Sequence, residues 1–185
     1  MTHKSVLVAA LLLAACAGPA PKESFYVLSA PPAAATGATP RVLVGTVSMP
    51  EAVDRTAMVI RVGPNQVDID DANRWAEPLK AALPRVLAEN LRRELGSTNV
   101  YSSRQAGVPA PDFRVGVEVQ RFESSLDEGA TLEALWTVTP ATGPARSGQT
   151  VAKERAGSRD AAGIAAAHSK ALEALGRDIA AAIRR

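Results

Sequence analysis

Few residues of this chain could do chemistry by themselves. The 185 residues hold one cysteine, Cys16, and two histidines, His3 and His168. An acidic run, Asp68-Ile69-Asp70-Asp71-Ala72-Asn73, is the densest group of carboxylates. That run hints at a calcium loop but puts Ala72 and Asn73 where an oxygen ligand and a turn glycine are needed. Capping of a following helix is the better account of its acids. His168 falls on the apolar side of a helical pattern, which suits a core or boundary histidine better than a base. There is no nucleophile elbow, no phosphate-cradling glycine loop and no histidine pair at metal spacing. The pattern assigns no catalytic residue, no metal site and no cofactor.

Cys16 is different, because its surroundings specify its fate. Lys4 gives a basic start, Val6 to Ala15 is an unbroken apolar stretch, and Leu13-Ala14-Ala15 leads into the cysteine. The stretch is shorter than the ~20 residues a spanning helix needs and reads as an export signal. Leu-Ala-Ala-Cys resembles the lipobox of bacterial lipoproteins. The resemblance implies cleavage before Cys16, a thioether-linked diacylglycerol on its sulfur, and an acyl chain on the new amino group. Residues 1–15 are then a signal peptide and 16–23 a lipidated tether. Ala17-Gly18-Pro19 follows with no aspartate beside the cysteine, which by resemblance to enterobacterial lipoproteins favours the outer membrane.

Removing residues 1–15 takes away Lys4 and no acid, so the formal charge falls from +2 to +1. A near-neutral chain lacks the concentrated basic face of a nucleic-acid binder. With Cys16 taken by lipid, no thiol remains for a disulfide, and packing alone must stabilise the fold. Residues 24–185 suffice for a single domain.

The elements that position these residues follow from periodicity. Residues 24–28 form a first strand candidate, and 30–40, rich in alanine and proline, read as a flexible connector. Residues 41–48 are apolar on both faces, as in a covered strand. Residues 56–62 and 66–69 flank Gly63-Pro64-Asn65 as a hairpin. Trp75, Leu79, Leu83, Leu87, Leu91 and Leu95 recur every fourth residue, so the pattern predicts a helix over 74–95 closed by Gly96. Pro78 fits its first turn, whereas Pro84 should kink it or mark its true start. Residues 98–102, 112–122, 131–139 and 149–156 read as strands, with the charged 121–128 stretch as a solvated strand end and loop. A second helix covers 160–183, with Ile164, His168, Leu172, Leu175, Ile179 and Ile183 on one side. This order predicts an α+β two-layer sandwich: a largely antiparallel sheet with two long helices on one face.

Several segments in register resemble the ABC-type transport auxiliary lipoproteins, the paraquat-inducible protein C or YmbA-like family. Phe25-Tyr26-Val27-Leu28 is similar to their aromatic-Tyr-x-Leu entry. The segment from Val47 through Met49-Pro50 to Asp54-Arg55 is similar to their Leu-Pro-x-Tyr-Leu-Asp-Arg stretch, with Glu51-Ala52-Val53 departing from it. Met58-Val59-Ile60-Arg61, Arg74-Trp75-Ala76-Glu77-Pro78-Leu79 and Asn90-Leu91 follow in order. The resemblance implies a non-enzymatic, periplasm-facing lipoprotein of the outer membrane, auxiliary to intermembrane transport of lipids or other hydrophobic compounds. Its implied partners are a mammalian-cell-entry (MCE) domain protein and an ABC permease and ATPase. Assembly as a homo-oligomeric ring is implied as well.

Phe25, Tyr26, Met49, Pro50, Arg74 and Trp75 are the candidate partner contacts. Each also has a plainer reading. Trp75 would pack helix on sheet while Arg74 pairs with nearby acids; Pro50 would end a strand; Phe25-Tyr26 would form an edge strand or lie near the lipid surface. Two other roles stay open, a periplasmic carrier holding lipid between helices and sheet, and an outer-membrane assembly lipoprotein with a β-barrel partner.

Overall fold

Alternation of apolar and polar residues builds the sheet, and two apolar helices close it. The computed structural model describes residues 22–103, 105, 107 and 109–185, so Cys16, the signal and most of the tether lie outside the described residues. The elements run β1 (Ser24–Tyr26), β2 (Val42–Ser48), β3 (Ala57–Gly63), β4 (Gln66–Trp75), α1 (Leu79–Leu95), β5 (Val100–Ser102), β6 (Phe113–Ser125), β7 (Gly129–Pro140), β8 (Arg146–Glu154) and α2 (Ala161–Arg184). The fold is the expected α+β sandwich.

The eight strands form one sheet in the order β1-β4-β3-β6-β2-β5, with β7 added to β6 and β8 to β7. It is mixed. The long hairpins β3–β4, β6–β7 and β7–β8 are antiparallel, while the shorter pairings β1–β4, β2–β5, β2–β6 and β3–β6 are parallel. In β6, Val115, Val117 and Val119 are buried while Arg114, Glu118 and Gln120 face water. Strict alternation would then turn Phe122 outward. A bulge prevents it: Val119 pairs with Ala134 and Arg121 with Glu133, which leaves Gln120 as the extra residue. Past the bulge Phe122 and Ser124 are buried again.

The helices pack side by side, α1 against β2 and β5, α2 against β7 and β8. Their crossing is close at Gly176, where an added Cβ would come within 2.9 Å of the Asn90 Cβ. Helix α2 begins as expected: the Asp160 carboxylate accepts from the Gly163 amide at 2.7 Å and satisfies a free donor of the first turn. Helix α1 ends at Gly96, whose φ of 66° is easily reached without a Cβ.

The start of α1 corrects the sequence reading. Residues 74–78 are not helical; β4 continues to Trp75, and Pro78 is the residue that caps α1. The bulk of Pro78 disfavours the helical region at Glu77 and so separates strand from helix. Pro84 lies inside the helix without ending it. The acids are also reassigned. Asp70 caps no helix; its carboxylate accepts from the amides of Ala72 and Asn73 and from the Asn73 side chain, at 3.1, 3.1 and 2.7 Å. It holds the irregular stretch where pairing to β3 jumps from Asp70 to Arg74. Between β1 and β2 the end of the 30–40 segment is pinned, with the Gly37 amide donating to the Gly96 carbonyl and the Ser97 hydroxyl to the Pro40 carbonyl.

Candidate functional site

Strand pairing brings four of the six candidate contact residues to one corner. Parallel register places Phe25 beside Arg74 and Tyr26 beside Trp75. Because strand side chains alternate between faces, the two pairs have opposite fates. Phe25 is 61 % exposed on the open side of the sheet, with Val27 two residues on at 56 %. Tyr26 is half-buried against the core and donates its hydroxyl to Asn73 Oδ1 at 3.0 Å, and Leu28 is buried. Arg74 is held by Glu23 and the Thr56 hydroxyl, both at 3.1 Å. The acid it pairs with is the tether-end Glu23, not one of the acids just before it in β4.

The loop after β2 joins the same corner. The Trp75 amide donates to the Thr56 carbonyl at 2.7 Å, and the Ala76 amide to the Tyr26 carbonyl at 2.8 Å. Lys80, one residue into α1, pairs with Asp54 at 2.6 Å. Met49 is buried within the core and Pro50 is only partly covered. Of the six candidates, then, Phe25, Pro50 and Arg74 offer surface, Tyr26 offers an edge, and Met49 and Trp75 are packing residues in this conformation.

Behind the corner lies an aromatic cluster that includes the one described histidine. The His168 ring is fully buried, stacked on Phe122 at 3.8 Å and 10°, and met edge-on by Trp75 at 6.0 Å. Its Nε2 lies 2.9 Å from the Ser124 hydroxyl, while Nδ1 has no partner among the described residues. A serine beside a histidine is a nucleophile–base pairing in outline. Here its environment disarms it. Among the described residues no carboxylate orients the ring, and burial pushes His168 down to about 3, far too weakly basic to take a serine proton near neutrality. The pair serves as a polar contact inside the core, satisfied at Nε2 only, at the apolar helical position that periodicity assigns to His168.

Two participants escaped sequence reading. Ser124 becomes an inward residue only through the bulge at Gln120, which alternation does not announce. Val27 could have been found, since it continues the alternation of Phe25 outward and Tyr26 and Leu28 inward. Among the described residues no group of three or more His, Cys, Asp or Glu side chains is placed to hold a metal ion, and no helix is long and apolar enough to cross a membrane.

Comparison with known proteins follows the same lines. The family model for the ABC-type transport auxiliary lipoprotein component matches residues 26–180. No curated protein matches the chain by sequence. An uncharacterised protein of known crystal structure is similar at a TM-score of 0.66 and 23 % identity, covering 88 % of this chain and 99 % of its own. A protein from Xanthomonas campestris is similar at a TM-score of 0.61 and 19 % identity, covering 85 % of this chain and 92 % of its own. These two likenesses concern the fold.

Proposed function

We propose, for a chain that belongs to the family of ABC-type transport auxiliary lipoproteins, a docking role rather than a catalytic one. Anchored by lipid on Cys16 at the outer membrane and facing the periplasm, the domain holds the far end of an MCE-domain conduit. That conduit carries lipid or other hydrophobic compounds, together with its ABC permease and ATPase. The observation that carries the reading is the family match over residues 26–180. The structure supports it by placing the only described histidine and its serine partner inside the core.

The mechanism is geometric. The lipid fixes where the domain sits, the sandwich supplies a rigid body, and surface edges of that body grip the partner. Phe25, Pro50 and Arg74 are the candidate partner contacts left at the surface. Assembly as a homo-oligomeric ring belongs to the same proposal, in line with an oligomeric conduit. A monomer in native mass spectrometry of the intact lipidated protein overturns that part.

Mass spectrometry of proteins co-purified with the lipidated chain from gently solubilised membranes tests the whole. Recovery of an MCE-domain protein, with or without its permease, is the expected result. Recovery of a β-barrel assembly factor instead overturns it in favour of an assembly lipoprotein. Stoichiometric lipid with no protein partner favours a carrier.

A further inference from the structure

Phe25, on a short strand at one end of the sheet, and Val27, just past its end, are large apolar side chains left in water. Their neighbours in sequence, Tyr26 and Leu28, turn inward, so the segment has one side in the core and one apolar side that no described residue buries. Such a face calls for a cover. The distance to the lipid anchor says what lies nearest. Phe25 follows Cys16 by nine residues, and a chain of that length reaches at most about 30 Å even when fully extended. Whatever path residues 17–23 take, the headgroup layer that holds the Cys16 lipid is within that reach of β1.

The charges beside the pair do not oppose contact with lipid. Glu23, the acid next to the strand, is paired with Arg74, and Lys22 is exposed with an amine suited to lipid phosphate. Tethering also raises the local concentration of this small surface at the bilayer far above that of a free domain. A modest apolar contact that could not bind a membrane alone can therefore orient a domain already anchored there.

We propose that Phe25 and Val27 insert into the headgroup–acyl boundary of the leaflet that carries the Cys16 lipid. They form a second membrane contact that turns the β1 end of the sheet toward the bilayer. The proposal rests on the lipid-anchored reading above. It adds an orientation: strand β8, at the other end of the sheet, then faces away from the membrane and toward soluble partners.

The test uses the lipidated chain in vesicles of phosphatidylethanolamine and phosphatidylglycerol, with and without doxyl-labelled acyl chains. Since lipid consumes the thiol of Cys16, the single variants Phe25→Cys, Val27→Cys and Val151→Cys each offer one free thiol for an environment-sensitive fluorophore. Val151, exposed on β8, is the reference. The expected result is quenching at positions 25 and 27 at least about twofold stronger than at 151, with blue-shifted emission. Equal and weak quenching at all three positions, in protein whose intact mass carries the lipid, overturns the proposal and leaves the anchored reading standing. Intact mass without lipid on Cys16 overturns both. Labels at 25 and 27 that are shielded only when a co-purified transport protein is added, and not by vesicles, also overturn it, assigning the face to that protein.

Discussion

The two sides of one strand pair, β1 on β4, carry similar residue types to opposite ends. On the helix side, Tyr26 and Trp75 lead into the sealed cluster of Phe122 and His168. On the open side, Phe25 and Arg74 stand at the surface, with an aromatic ring in water and a guanidinium spread over two partners. Aromatic and polar groups occur on both sides, so composition does not separate them. Burial does. Inside, the histidine is forced neutral and the serine hydroxyl is tied to it; outside, the same kinds of groups remain available to a partner or a membrane.

Substitutions that break this contrast should fall in a clear order. Trp75→Ala has the largest expected effect: the indole is 4 % exposed and touches both Phe122 and His168. Its loss leaves a cavity and should cost about 3–5 kcal/mol, read as a lower denaturant midpoint at an unchanged slope. A midpoint within error of the parent would mean the cluster does not hold the sheet to the helices.

Acid comes next. His168 has an ordinary value of 6.5 when unfolded and about 3 when folded, because burial penalises the charged form. Below pH 6.5 the unfolded chain therefore binds the extra proton, and stability falls as pH falls from about 6.5 toward 3. The expected slope approaches 1.4 kcal/mol per pH unit. Asp112, held down by hydrogen bonds from Arg41, and Asp160, held down by Ser158 and Gly163, lose their contributions only below the ordinary carboxylate value of 3.8. The window between pH 5 and 6.5 thus reports the histidine. Urea titrations across it should show the slope in the parent and a flattened one in His168→Leu. An unchanged slope in the variant would place the titration elsewhere.

Tyr26→Phe tests the boundary between the two sides. It removes the hydrogen bond to Asn73 while keeping the ring, and should cost about 0.5–1.5 kcal/mol in the same assay. Phe25→Ser is expected to change stability by no more than about 0.5 kcal/mol. Its effect belongs to membrane orientation and not to folding. If it destabilises as much as Tyr26→Phe, Phe25 is a packing residue and the open side is not open.

Much of the architecture was legible in the chain. The helix with His168 on its inner side, the β3–β4 hairpin at Gly63-Pro64-Asn65 and the alternation of β6 follow from local periodicity, and tertiary packing agrees with each. The start of α1 was misread for a definable reason. Trp75 sits four residues before Leu79, so it continues the helical stripe in one dimension although a strand delivers it. The rule that Pro78 restricts Glu77 was present in the sequence and points to the right boundary. The acids ahead of it looked like helix caps only because the helix was begun too early.

What the sequence determined by itself was what near neighbours carry: the two helices, most strand spans and the alternation of β6. What only the tertiary structure decided was which residues far apart in the chain meet. Ser124 meets His168 because one extra residue, Gln120, resets the face of β6. Glu23 meets Arg74, 51 positions away in the chain, because β1 pairs parallel to β4. Trp75 is buried because the sheet presents it to α2. Local periodicity records which face a side chain takes, but register and bulges are fixed only when the whole sheet closes under its helices. That closure separates the sealed side of β1 from the open one.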